Sequence, residues 1–442
     1  MKKDKSRGAL GLVFGIVFLD IVGFSILFPL FPSLLDFYLE REGADSFVGG
    51  IVQSLTDIAG ADNHWAVVTL FGGLLGTVYS LLQFLFAPIW GGLSDRIGRR
   101  PTLIVTLVGT AVGYLLWMYA GSFVWLFVSR IVGGIMAGNI STATAVVADS
   151  STAEKRAGAM GIVGMAIGLG FILGPAIGGM TAPDEASLTQ SYELGLAWNP
   201  FSLCASIAFG LSLLNLLFVL ARLKETHPEE RRGASTRTAL WNPLGALARL
   251  GLEGVSRTTL VYFLYLTAFS AMEFTLTFLA KERFDYGPRD NMWMFIFVGF
   301  VIAFVQGGIV RRMAPRLGEK KLAIRGLVIL LPGFFAVAIA QSAGVLYAGL
   351  FAMAVGSALA MPCLSSLVSR YSPLENQGLV LGCFRSAGAL ARALGPILGG
   401  VLYWQLGSAA PYWVGGVFLL LPVGLAIGLP EPKATTQAAQ EG

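Results

Sequence analysis

The sequence predicts an all-α polytopic membrane protein, twelve transmembrane helices in two pseudo-symmetric six-helix bundles, and three observations carry that prediction. Apolar residues make up 55% of the 442 residues and charged residues only 13%, with a mean hydropathy of +0.71, outside the range of a soluble domain. Twelve apolar runs reach the roughly 20 residues that a helix needs to cross a bilayer. The segment Leu173-Gly174-Pro175-Ala176-Ile177-Gly178-Gly179 returns half a chain length later as Leu394-Gly395-Pro396-Ile397-Leu398-Gly399-Gly400. Gly98-Arg99-Arg100 is echoed in nearly the same register by Gly318-Glu319-Lys320. One half is written twice, and two membrane-embedded repeats with a site between them are a common plan for secondary transporters.

The expected crossings cover 9–35, 66–91, 102–121, 123–147, 157–182 and 197–222, then 258–280, 292–312, 322–342, 344–369, 378–404 and 410–429. Residues 1–222 are expected to form the first bundle, 223–257 a linker, 258–430 the second bundle and 431–442 a disordered tail. The basic start, Met1 to Arg7, runs into an apolar stretch too long for a signal-peptide core, so it reads as a retained first span. An even number of spans puts both termini on one side, and 24 of the 31 Lys and Arg residues fall on that side. By the positive-inside rule both termini face the cytoplasm, and a cell membrane, bacterial inner or plasma, is the expected location. This side is called the basic face below, and the opposite side the acidic face. The sequence pI near 9.1 is thus a topological signal rather than a nucleic-acid patch.

Two loops exceed a simple hairpin. The one on the acidic face, about Asp36 to Trp65, carries a glycine-punctuated stretch, Val48 to Ala59, that suits a short surface helix. The linker contains Trp241-Asn242-Pro243-Leu244 followed by Leu247, Leu250 and Leu252, the pattern of an amphipathic helix lying on the membrane. His64 and His227 fall in loops and are expected to be solvated. Cys204, Cys363 and Cys383 lie inside apolar runs and are expected to pack as small hydrophobes.

Between the second and third spans stands Gly91-Gly92-Leu93-Ser94-Asp95-Arg96-Ile97-Gly98-Arg99-Arg100-Pro101. Gly91 allows close helix contact, and Asp95 offers a carboxylate to a helix N-terminus or a guanidinium. Gly98 permits a tight turn that presents Arg99 and Arg100 to the cytoplasm, a cluster suited to latching one half against the other. The segment resembles the loop signature of the major facilitator superfamily. Arg130 with Gly133, Gly134 and Gly138 is similar to that superfamily's intramembrane arginine motif, with Gly133 where a glutamine is frequent. Gly170, Gly174, Pro175, Gly178 and Gly179 resemble the fifth-span motif of its proton-driven exporters, a bendable glycine face expected to pack against the partner half and to act as a hinge with Gly395 and Pro396. Leu19-Asp20-Ile21-Val22-Gly23-Phe24 is similar to the first span of tetracycline-resistance antiporters. Pro362-Cys363-Leu364-Ser365-Ser366 and Arg385-Ser386-Ala387-Gly388 resemble the eukaryotic tetracycline-transporter-like branch. The chain departs from the bacterial tetracycline exporters at Gly113 and Leu331, where those carry carboxylates.

Five ionisable residues lie well inside apolar runs: Asp20, Arg130, Glu273, Arg385 and Arg392. Each costs roughly 2.5 to 3.5 kcal/mol at mid-bilayer on insertion scales, so they are expected to be paired or to line a wet cavity. Asp20 and Glu273, near the middle of the first and seventh spans, read as equivalent positions in the two halves. With Arg130 they are candidates for proton coupling, since a carboxylate whose guanidinium partner moves away changes its affinity for a proton. A static pair of Glu273 with Arg385 or Arg392 is the alternative. Arg385 and Arg392, seven residues apart on one helix face, suit an anionic ligand group, and Gln83, Asn139 and Gln306 are softer candidates for lining the path.

The chain has no Walker-type Gly-x4-Gly-Lys-Ser/Thr segment, no metal-spaced Cys or His grouping and no Gly-x-Ser-x-Gly elbow, so neither an enzyme nor an ATP-driven pump is indicated. No cofactor or metal is expected, and a proton gradient is the expected energy source. The leading expectation is a monomeric proton-coupled antiporter exporting amphipathic organic compounds by alternating access, drug or tetracycline-like efflux. Two alternatives remain open: a facilitator or importer of an organic anion or lipid-like metabolite, and a membrane scaffold or receptor.

Overall fold

The computed structural model describes residues 2–59, 64–152, 156–183, 188, 192–227, 229, 251–252, 254–286, 288–373 and 376–431. The expected linker helix and the expected tail lie outside these residues. The first half comprises α1 (Lys2–Ser25), α2 (Phe31–Glu42), α3 (Phe47–Ala59), α4 (His64–Ile97), α5 (Arg99–Met118), α6 (Phe123–Met136), α7 (Asn139–Ser150), α8 (Arg156–Met180) and α9 (Ser202–Arg222). The second comprises α10 (Val255–Phe284), α11 (Pro288–Phe304), α12 (Arg311–Leu317), α13 (Glu319–Ala338), α14 (Ala343–Tyr371), α15 (Gln377–Leu406), α16 (Ala410–Phe418) and α17 (Leu420–Ile427).

Among the described residues, ten stretches, from Phe71–Ile97 to Ala410–Ile427, are long and apolar enough to cross a membrane. The shorter apolar stretch Leu10–Ser25 and α15, whose Arg385 and Arg392 lower its hydropathy, complete twelve crossings. Four crossings are not the single helices expected. The first stops at Ser25, a 3-10 turn occupies Phe28–Leu30, and α2 restarts at Phe31. Pro29 and Pro32 explain the interruption, because proline lacks the N–H and its ring clashes with the preceding turn. The fourth is cut at Ala137 and Gly138. The eighth contains a π-helical turn at Val305–Val310, and the twelfth restarts after Leu419. The surface helix on the acidic face is present as α3.

Small residues set the helix contacts, as expected where lipid removes the hydrophobic incentive to associate. Gly170 and Gly174 of α8 lie against Ile21 and Ser25 of α1, and Gly178 against Ile26 just beyond it, leaving no room for a side chain. This corrects the expectation that the glycine-proline face packs on the partner half. The partner contact uses an earlier glycine row on α8: Gly161 and Gly164 against Gln306, and Gly168 against Ile302. In the second half, Gly388, Gly395 and Gly399 of α15 lie against Tyr262, Ser270 and Ala271 of α10.

These contacts also fix the internal register. Gly174 meets Ser25 and Gly395 meets Ser270, so Ser25 and Ser270 are the matching positions. Asp20 lies five residues before its serine and Glu273 three residues after. The two carboxylates are therefore displaced from equivalence by about 12 Å along the helix axis, with Glu273 nearer the acidic face.

One apolar core runs through the second half and continues across α8 into α1, α5 and α7 of the first. A separate cluster, including Phe37, Tyr38, Phe71, Trp117, Phe123 and Phe201, fills the acidic-face end of the first half. The halves share their interior toward the basic face.

Candidate functional site

The break in the fourth crossing creates the polar centre of the first half. Carbonyls released around it are taken up by α4: Trp90 Nε1 donates to Ile135 O at 2.6 Å, and Gln83 Nε2 donates to Ala137 O at 3.5 Å. Asn139, the first residue of α7, donates from Nδ2 to Asp20 Oδ1 at 2.8 Å and to Thr110 Oγ1 at 3.3 Å. Two of the candidate path-lining residues are thus engaged within the first half, Gln83 at the break and Asn139 on Asp20.

Arg130 is 4% exposed and has no ion pair among the described residues. Its guanidinium lies 5.6 Å from the Trp117 ring centroid and 5.9 Å from that of Tyr79, a cation–π arrangement that gains strength where water is excluded. The Tyr79 ring occupies the space beside Gly133, so a glutamine there would have to displace it. Gly113 lies against the backbone of Ser129 and Gly133 at ordinary contact distance.

Tyr79 links the two halves electrostatically, since Asp20, Arg130 and Arg392 all act on it. On the far side, Arg392 acts on Glu273, and no ion pair within 4.0 Å joins them among the described residues. The static pairing of Glu273 with Arg385 or Arg392 is therefore absent here. Arg385 is 8% exposed, flanked by Phe384 and facing the phenol of Tyr262, whose ring stacks on Phe384 at 4.1 Å. Gln306, in the π turn, is 2% exposed and sits in the seam with α8. It is a contact between halves.

The seam is closed along α4 and α15. Asp95 Oδ2 accepts from the Leu379 N–H at 2.7 Å, Ser386 Oγ donates to Phe84 O, and Thr77 Oγ1 donates to Ala393 O at 3.1 Å. Gly382 packs on Ala87, Pro88 and Gly91. Ser365 Oγ of α14 lies 3.9 Å from Met160 Sδ of α8, so the basic-face ends of both halves meet.

Arg99 departs from expectation. It is buried rather than presented outward, with Nη1 2.5 Å from Asp95 Oδ1 and Nε 3.0 Å from Asp149 Oδ2. Glu225 accepts from the N–H groups of Arg99 and Arg100, covering the N-terminus of α5, and from the N–H of His227. His227 is 1% exposed, not solvated. Arg96 and Arg100 are part-buried, and Gly98 turns with φ 106, a value that favours glycine. In the second half Gly318 turns with φ 81, but the pair behind it is reversed: Glu319 accepts from Arg370 at 2.7 Å. The sequence reading missed Tyr79, Tyr114, Thr110, Tyr262, Asp149 and Glu225. Only their polarity within or beside apolar runs could have marked them.

The sequence model of the Major Facilitator Superfamily matches residues 13–318 and 311–442. The chain belongs to the major facilitator superfamily. Among its relatives, human major facilitator superfamily domain-containing protein 10 is 36% identical over 458 residues, covering 99% of this chain and 96% of that one. The class D tetracycline resistance protein of Salmonella ordonez is 28% identical, covering 95% and 97%. The crystal structure of the human organic anion transporter MFSD10 (TETRAN) matches with a TM-score of 0.85 at 35% identity, covering 95% of this chain and 99% of that one. As a member of the major facilitator superfamily the chain is a multi-pass membrane transporter of small organic substrates and not an enzyme.

Proposed function

We propose that the protein is a proton-coupled antiporter working by alternating access, and that the amphipathic organic compounds it exports carry an anionic group. The observation that carries the substrate class is Arg385. Its guanidinium is buried at the level of the seam, and among the described residues it has an aromatic wall and a phenol but no carboxylate partner. A buried cation without a counter-ion is costly, so an anionic ligand group gains what the protein does not supply. Arg392, one turn pair further along α15, adds a second cation, while Glu273 offsets it. The name of the human structural relative, an organic anion transporter, supports the same class. Asp20, part-buried in the first half and bonded to Asn139, is the proton carrier in this reading. Both termini face the cytoplasm in this reading, and the closed basic face is an outward-facing or occluded state.

The test is flux of fluorescent anionic, zwitterionic and cationic amphiphiles in vesicles reconstituted with the purified protein. Anionic probes should move fastest. Arg385→Ala should raise the KM for them about tenfold or more, the loss of one charge-assisted hydrogen bond, and Arg385→Lys should restore part of it. Preference for cationic probes, or an unchanged KM in Arg385→Ala, contradicts the assignment.

A further inference from the structure

The short helix α7 bears one functional contact at each end. Asn139, at its start, holds Asp20, and Asp149, next to its last residue, holds Arg99 in the latch. The break at Ala137 and Gly138 separates α7 from α6, so a rod about 16 Å long is uncoupled from the helical hydrogen bonding of the rest of the fourth crossing. It packs on α1, α4, α5 and α8 of its own half and on α15 of the other, so a shift of α7 is felt at the seam. We propose that α7 is the lever that carries the protonation state of Asp20 to the basic-face latch, with Asn139 as the positioning residue that couples them. This rests on the reading of Asp20 as the proton carrier.

The chemistry is a change in one hydrogen bond. With Asp20 ionised, Asn139 Nδ2 donates to a carboxylate, a charge-assisted bond about twice as strong as a neutral one. A proton arriving on the carboxyl converts it to the weaker kind, and α7 loses part of what pins its start. Asn139 is 2% exposed and its Oδ1 has no partner, so the amide has no second anchor at that oxygen. Thr110 Oγ1, the other group on Nδ2, itself donates to Thr106 O at 2.9 Å. Thr106 and Thr102 likewise donate to carbonyls four residues back. This row of hydroxyls on α5 ends on backbone oxygens and therefore carries no proton relay toward the latch. The connection runs through α7.

Other groups around Asp20 are accounted for. Tyr79 of α4 and Tyr114 of α5 are neutral phenols within reach of the charges of Asp20 and of Arg130 of α6. On the other flank of α1, α8 and α9 carry no ionisable residues except Arg156, Cys204 and Arg222 toward their ends. Asn139 is the group in direct hydrogen-bond contact with the carboxylate in the structure.

Spin labels at Ile97 and Pro373, both exposed near the latch, read the opening of the basic face by pulsed electron resonance, the native cysteines being buried. In the parent protein in nanodiscs, acidification should shift the closed-to-open ratio about tenfold, the difference between a charge-assisted and a neutral bond. Asp20→Asn should abolish that dependence, and Asn139→Ala should reduce it below about twofold. Asn139→Leu, which refills the amide's volume, should behave as Asn139→Ala does, and substrate-dependent thermal protection verifies that both variants fold. A full pH response in the Asn139 variants, with Asp20→Asn insensitive, overturns the lever and leaves the proton site standing. A response that survives in Asp20→Asn instead overturns the proton reading itself.

Discussion

At Arg99 the side chain is wholly buried, and its guanidinium serves Asp95, Ser94 and Asp149 together. Removing one member of such a buried pair leaves an uncompensated charge, a change worth about 3–5 kcal/mol. Arg99→Gln should therefore strand two carboxylates and lower the thermal transition of the detergent-purified protein by several degrees; an unshifted transition would show that Asp95 and Asp149 find other partners. The motif around Arg99 was legible in the sequence, but its burial was not. Asp149 lies 50 residues away, and a basic loop residue ordinarily reads as solvated. Asp20 and Arg130 stood out because charge inside an apolar run is costly wherever it occurs. The partnership of Asp20 with Asn139 was hidden, since a separation of 119 residues and a break in the fourth crossing jointly create it.

Among the elements, the glycine rows determine which helices approach, and each row has one partner. Gly174 lies on Ser25 and the Val22 carbonyl, and Ser25 Oγ donates to Gly170 O at 3.1 Å across the same contact. Gly174→Val should force α1 and α8 apart, costing about 1–3 kcal/mol as overpacking of a tight contact. It should slow transport while leaving the α4–α15 seam intact. Comparable rates in the variant and parent at equal expression would mean that the pair has slack. The apolar runs showed where crossings lie to within a few residues, because the bilayer imposes their length. They could not show that the fourth crossing is severed or that the eighth contains a π turn, since every residue near Gly138 and Gln306 is compatible with continuous helix. The direction of the glycine-proline face was misread for a related reason: small residues mark a contact but do not name the neighbour.

For the molecule as a whole, the repeat is imperfect in ways that bear on function. Ser25 and Ser270 hold matching places against matching glycines, yet the carboxylates Asp20 and Glu273 lie at different depths. The ion pairs behind Gly98 and Gly318 have opposite polarity, Arg99 with Asp149 and Glu319 with Arg370. The cross-half bond from Asp95 to Leu379 N has Pro315 at the corresponding place in the second half, so the latch is one-sided. In the proposed reading this asymmetry divides the tasks: the first half holds Asp20 as proton carrier and the Asp95 latch, while the second holds Arg385 and Arg392, the cations suited to an anionic substrate. The most direct measurement of this account is uptake of an anionic amphiphile into everted vesicles under an imposed pH gradient, comparing the parent protein with Asp20→Asn. The account predicts gradient-driven accumulation in the parent and, in Asp20→Asn, equilibration without accumulation; accumulation that is equally strong in the variant would contradict it.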